Sequence, residues 1–217
     1  MKQTLTIEAL QKEATNFAEI ESSHDEPSLY GVTDGKAVGT YLEHKFTSYL
    51  ANKYTYEQGN SASGIDLPGL GVDIKVTSIK QPQSSCPFKS ASQKIFGLGY
   101  HLLVFVYEKS DDDTSRTGQL NMQHTIFVEK ERTADFQTTK GLLDILEREG
   151  NRDDVIAFIM ERSLPVDEIG AEQLADRILP SPPNLGYLTI SNALQWRLQY
   201  NRVIQKAGEI SGIYRVR

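Results

Sequence analysis

Apolar residues return every third or fourth position near the start of the chain. Ile7, Leu10, Ala14, Phe17 and Ile20 fall on one side of a helix over residues 4–21. After a loop around His24 to Gly35, Val38, Leu42, Phe46, Tyr49 and Leu50 resume the same spacing and predict a second amphipathic helix over 36–50. The rhythm then shortens to two. Ile65, Leu67, Val72, Ile74 and Val76 alternate with other positions about the turn Pro68-Gly69-Leu70-Gly71, the pattern of a β-hairpin with one apolar face. A short helix over 90–98 leads to His101–Glu108, apolar at consecutive positions as in a strand covered on both faces. An acidic loop over 110–119 and a strand over 123–130 follow. Beyond Ala134 the period is helical over 137–149, 153–162 and 167–179, until Pro180-Ser181-Pro182-Pro183-Asn184 breaks it. Residues 191–206 read as a basic amphipathic helix and 212–217 as a terminal strand. The order predicts an α/β (α+β) chain in two parts, a core of helices and strands over 1–133 and a helical region over 134–217.

The hairpin carries the chemistry. It sets Leu67 opposite Val72 and Asp66 opposite Asp73, so Asp66, Asp73 and Lys75 share the face away from the apolar one. Opposed side chains in an antiparallel pair have β-carbons about 4.5–5.5 Å apart, and two like charges there destabilise the pair unless something binds between them. A hard divalent cation with oxygen ligands, such as Mg²⁺, is the natural occupant. Two acids and a lysine on one sheet edge suit phosphodiester hydrolysis. The cation polarises a phosphoryl oxygen and acidifies water, while a lysine orients the attacking water or neutralises the phosphate.

Charge and composition narrow the setting. The chain has 217 residues, 39% of them hydrophobic and 24% charged, with a net charge of −6, which does not suit a generic nucleic-acid binder. The distribution does, however: Ile74 to Tyr107 holds four lysines and no acid, while acids gather in Asp111-Asp112-Asp113 and between Asp144 and Asp176. The longest apolar run, Leu102 to Tyr107, is too short to span a membrane, and Glu8, Glu13, Glu19 and Glu21 exclude a signal peptide. A single cysteine, Cys86, fits a reducing cytoplasm. Gly212-Ile213-Tyr214 has no partner motif downstream and is not read as a GIY-YIG nuclease signature.

An acid at the end of one strand, followed by Asp73-Ile74-Lys75 on the next, resembles the signature of the PD-(D/E)XK nucleases. Asp66 takes the first position, with Ile65 where that family's proline would stand. Members often carry a glutamate on the preceding helix, and Glu43, beside Leu42 on the flank of the apolar stripe, matches it. The resemblance covers roughly residues 36–108. It implies a restriction-endonuclease-like mixed sheet flanked by helices. It also implies a type II restriction endonuclease that hydrolyses double-stranded DNA at a specific sequence with Mg²⁺, or Mn²⁺ as a substitute. Asp66, Asp73 and Glu43 would hold the metal and Lys75 would serve the attacking water. Such enzymes act as homodimers in the cytoplasm, beside a companion DNA methyltransferase for the same site. Two other readings remain at this stage: a structure-specific nuclease for junctions or mismatches, and a non-catalytic DNA-binding regulator.

Candidate DNA contacts lie in two places. After Val76 a polar tract supplies Ser78, Lys80, Gln81, Gln83, Ser84, Ser85 and Lys89, with Gln93 and Lys94 on the helix beyond. The tail, somewhat like a winged helix, offers Arg197, Gln199, Asn201, Arg202 and Lys206 to a major groove. A structural cap or dimer surface is the competing use of that tail.

Overall fold

The structure, a computed structural model, describes residues 2–59, 64–85, 90–162, 164–191 and 196–217. In chain order the first elements are β1 (Gln3–Thr4), α1 (Ile7–Ser22), β2 (Asp25–Glu26), α2 (Gly35–Lys53), β3 (Tyr54–Thr55), β4 (Val72–Ser78) and β5 (Gln83–Ser85). Then come α3 (Ala91–Phe96), β6 (His101–Asp112), β7 (Thr117–Val128), α4 (Phe136–Glu147), α5 (Arg152–Glu161) and α6 (Glu168–Ile178). The chain closes with β8 (Thr189–Ser191), β9 (Arg197–Gln199), α7 (Asn201–Lys206) and β10 (Ile213–Arg215).

These elements form two compact units that interleave along the chain. Met1–Ser84, His101–Val128 and Ile204–Arg217 make the first; Ser85–Tyr100 and Glu129–Val203 make the second. The first is built on a mixed sheet of order β10-β7-β6-β4, with β2 also pairing β7. β4 runs parallel to β6, Asp73 level with Leu102 and Lys75 with Val104, whereas β7 and β10 are antiparallel to their neighbours. Helices α1 and α2 start at side-chain caps, Thr6 Oγ1 accepting from Ala9 N–H and the Asp34 side chain from Lys36 N–H. They pack on one face of the sheet through Leu10, Ala14 and Phe17 of α1 and Val38, Leu42, Phe46 and Leu50 of α2. Phe17, Phe46 and Phe105 meet with ring centroids 5.0–6.0 Å apart and pin both helices to β6. Leu102 through Val106 are all 0% exposed, as a strand covered on both faces requires.

In the second unit, α3 to α6 enclose a core that includes Ile95, Leu142, Val155, Ile159, Leu174 and Ile178. Asp135 is buried and accepts hydrogen bonds from Thr138 N–H and, at its other oxygen, from Ile190 N–H, tying the start of α4 to β8.

Four local expectations change. Ile20 is 57% exposed, and Glu13 and Glu21 are buried in its place on α1. The acidic loop contracts to a hairpin turn, because β6 and β7 pair as far as Asp112 with Thr117. The tail is not one helix: β8 and β9 pair antiparallel, and α7 is short. The terminal segment is no wing, since β10 pairs with β7 and extends the main sheet.

Candidate active site

The turn between Asp66 and Asp73 is tighter than a full hairpin. Pro68–Leu70 form a turn of 3₁₀ helix that Gly71 closes in the left-handed region, at φ 61°, where glycine carries no steric penalty. Leu67 and Val72 form the one antiparallel rung, with N···O distances of 2.9 and 3.2 Å. Asp66 Oδ2 accepts the Ile74 N–H at 2.7 Å, so this carboxylate is held against the edge of β4.

Alternation along β4 does the rest. Val72 and Ile74 enter the core under α1 and α2, while Asp73 and Lys75 take the other face. Asp73 is only 3% exposed, and its Oδ2 lies 2.7 Å from Lys75 Nζ, an ion pair without hydrogen-bond alignment. The Asp66 and Asp73 carboxyl groups approach closely enough to share a hydrogen bond. Burial pushes the Asp73 carboxyl well above the usual range, with Lys75 working against the rise and Asp66 adding to it. Glu43 reaches the same cluster from α2. Its carboxyl is pushed up to about 7, first by burial, then by the Asp66 charge, with Lys75 opposing and Asp73 adding.

The three carboxylates and the ammonium thus form one electrostatic group. Among the described residues no three His, Cys, Asp or Glu side chains close into a finished metal cage. The donor set still fits a hard divalent cation: all three acids supply oxygen, the Glu43 and Asp73 carboxyls are pushed up by burial and by the charge of neighbouring carboxylates, and the buried Asp73 Oδ2 is met by the Lys75 ammonium without an aligned hydrogen bond.

A model of the family of the type II restriction enzyme NspV matches residues 4–215. The type II restriction enzyme NspV of Nostoc sp. (strain ATCC 29411 / PCC 7524) is 67% identical over 212 residues, covering 98% of this chain and 96% of that protein. The chain belongs to the NspV family. It is a type II restriction endonuclease, a hydrolase of DNA. No solved structure matches it.

In this NspV-family chain, the catalytic residues expected from sequence, Asp66, Asp73, Lys75 and Glu43, come together. The expected DNA contacts divide between the units. Thr77 Oγ1 accepts Gln83 N–H and donates toward the carbonyls of Gln81 and Gln83, folding the start of the polar tract into a fixed turn. That turn leaves Lys80 and Gln81 exposed, with Ser78, Gln83 and Ser84 half-buried. In the second unit, Ser85 Oγ lies 3.5 Å from Arg197 Nη1, and Gln199 is half-buried. Gln93 is half-buried with Oε1 lacking a hydrogen-bond partner. Lys94 is 7% exposed, and burial lowers its pKa while Asp135 resists the change. Asn201 is exposed, the Arg202 guanidinium stacks 3.7 Å from the Phe136 ring, and Lys206, in the first unit, pairs with Glu209 at 2.8 Å. Lys89 lies outside the described residues.

Sequence reading missed the walls of the site. A cavity of about 200 Å³ is lined by Glu43, His44, Thr47, Tyr56, Gln58 and Asp66. Tyr56 Oη donates to the Thr47 carbonyl at 2.8 Å and braces α2 one turn beyond Glu43. The i,i+4 relation of Glu43 to Thr47 was the available signal. Thr77, which shapes the tract after β4, gave none.

Proposed function

We propose that this restriction endonuclease cuts double-stranded DNA at a cluster made of Asp66, Asp73, Glu43 and Lys75. The observation that carries the assignment is the meeting of an acid from the turn, an acid and a lysine from β4, and a glutamate from α2, with Lys75 Nζ 2.7 Å from Asp73. Asp66, Asp73 and Glu43 would hold Mg²⁺, for which Mn²⁺ substitutes. Bound there, the ion supplies Lewis-acid polarisation of the scissile phosphate and lowers the pKa of water.

The chain's own groups do the remaining work. Asp66, fixed by the Ile74 N–H, cannot swing away from the strand edge. The Lys75 ammonium, tethered by Asp73, stands where it can orient the attacking water and offset charge growing on the phosphate. Glu43 must give up its proton to act as a ligand, and its elevated pKa places that event near neutrality. Lys80 and Gln81, exposed just past β4, are proposed to meet phosphates and base edges. Two strands need two such sites, so the working form is proposed to be a homodimer on a palindrome, acting in the cytoplasm beside a methyltransferase that protects the same sequence.

Digestion of a long natural DNA with Mg²⁺ tests the reading. Discrete fragments are expected, with none under chelation. Asp73→Ala and Lys75→Ala should each lower the rate by at least about 10²-fold without loss of the folded state. Undiminished cutting by either variant rejects the site.

A further inference from the structure

Helix α2 presents three stripes at four-residue spacing. Val38, Leu42, Phe46 and Leu50 face the sheet, and Glu43 with Thr47 faces the site. The third stripe, Tyr41, Lys45, Tyr49 and Lys53, lies on the opposite flank of the apolar one, since successive residues step about 100° around the axis. It meets two carboxylates of α1, Glu21 through one hydrogen bond and an ion pair, Glu13 through two hydrogen bonds. Tyr41 Oη donates to Glu21 Oε1 at 2.9 Å, Lys45 Nζ lies 2.8 Å from Glu21 Oε2, and Lys45 also donates to Tyr41 Oη at 2.6 Å. Eight residues along both helices, Tyr49 Oη donates to Glu13 Oε2 at 2.6 Å. Lys53 Nζ donates to the same oxygen at 2.7 Å and to Tyr49 Oη at 2.6 Å. Each lysine Nζ also lies beside its tyrosine, 5.1 and 4.1 Å from the ring centroid, at the hydroxyl end.

These carboxylates are buried, Glu21 at 1% and Glu13 at 6% exposure. Burying an ion pair is a poor route to stability, because packed apolar side chains of similar volume do as well or better. What hydrogen-bonded charges add is direction: an apolar contact tolerates rotation of a helix, whereas a carboxylate shared by a phenol and an ammonium does not. Direction matters here because Glu43 rides on the same helix. Its carboxylate projects about 5–6 Å from the axis, so a rotation of about 10° moves it by roughly 1 Å. A displacement of that size can cost a catalytic constellation on the order of 10²-fold.

We infer that Glu21 with Tyr41 and Lys45, and Glu13 with Tyr49 and Lys53, are positioning residues that fix the rotation of α2 and thereby set Glu43 against Asp66 and Asp73. The inference rests on the proposed role of Glu43, and the test keeps the two apart. The variant Glu21→Met/Tyr41→Phe/Lys45→Met replaces one clamp with apolar groups of similar size. It should retain the melting temperature within a few degrees, yet lose about 10-fold or more in kcat. It should also bind Mn²⁺ alone, followed by electron paramagnetic resonance without DNA, about 5–10-fold more weakly. Lys45→Arg, which keeps a charged donor, should recover most of both. A folded triple variant with unchanged kcat and unchanged Mn²⁺ affinity overturns the clamp. Should the triple change fail to fold, Tyr41→Phe/Tyr49→Phe removes only two hydroxyls, and the same pair of measurements decides. Glu43→Gln is the control. If it cuts DNA and binds Mn²⁺ like the parent, the assignment of the site falls and the clamp with it. If Glu43→Gln is impaired while the clamp variant is not, only the clamp falls.

Discussion

Glu13 and Glu43 carry the same carboxyl group on neighbouring helices, yet their environments drive them in opposite directions. Burial would raise the Glu13 pKa, but hydrogen bonds from Lys53, Tyr49, Tyr54 and Asn16 overcome it and hold the group at about 2. Among the described residues Glu43 receives no such donors, and it is pushed up to about 7. The stability consequences differ in sign. Glu13, lowered from an ordinary 4.5, contributes stability present above pH 4.5 and lost as pH falls through about 2. Glu43, raised from 4.5, contributes stability present below pH 4.5 and lost as pH rises through about 7. With divalent ions chelated, the melting temperature measured from pH 3 to 9 should therefore decline on both sides of a maximum near pH 5. Glu13→Gln should cost on the order of 2 kcal/mol at pH 7 and flatten the acid limb. Glu43→Gln should flatten the alkaline limb instead. An alkaline limb unmoved by Glu43→Gln would show that its carboxyl is not strained by its neighbours.

Among the elements, α2 joins sheet, clamp and site. Phe46 lies at its centre, 0% exposed and in ring contact with Phe17 and Phe105. Phe46→Ala should cost about 3–5 kcal/mol in denaturant unfolding; a cost under 1 kcal/mol would mean that α2 repacks freely. The apolar stripe of this helix was plain in the sequence because burial of Val38, Leu42, Phe46 and Leu50 leaves a period that any amphipathic helix shows. The clamp stripe was not, since Tyr, Lys and Glu at four-residue spacing also describe a solvated face, and only a partner helix distinguishes the two. The turn was legible for a related reason: Pro68 and Gly71 punctuate it and Leu67 faces Val72 as expected. That the Asp66 side chain, and not its backbone, would meet Ile74 had no signature. The tail misled because Leu194, Leu198 and Val203 mimic a helical period, whereas the chain spends Arg197–Gln199 in a strand.

At the scale of the molecule, the sheet that carries the site is assembled from distant stretches. Its outer strand β10 pairs with β7, the Thr125 N–H and carbonyl bond the backbone of Val216 and Arg217, and the Arg217 guanidinium reaches Ser22 and the Met122 carbonyl. Ile213 is 0% exposed in this edge. Removing residues 204–217 should thus abolish cooperative unfolding of the sheet by circular dichroism and eliminate cleavage; a truncated chain that still cuts would place β10 outside the functional core. The interleaved order has a temporal side as well. A ribosome delivers Asp66, Asp73 and Lys75 early but Ile213–Arg215 only after more than a hundred further residues, so on the truncation outcome predicted above the emerging polypeptide should be toothless toward the genome that encodes it until the missing edge arrives.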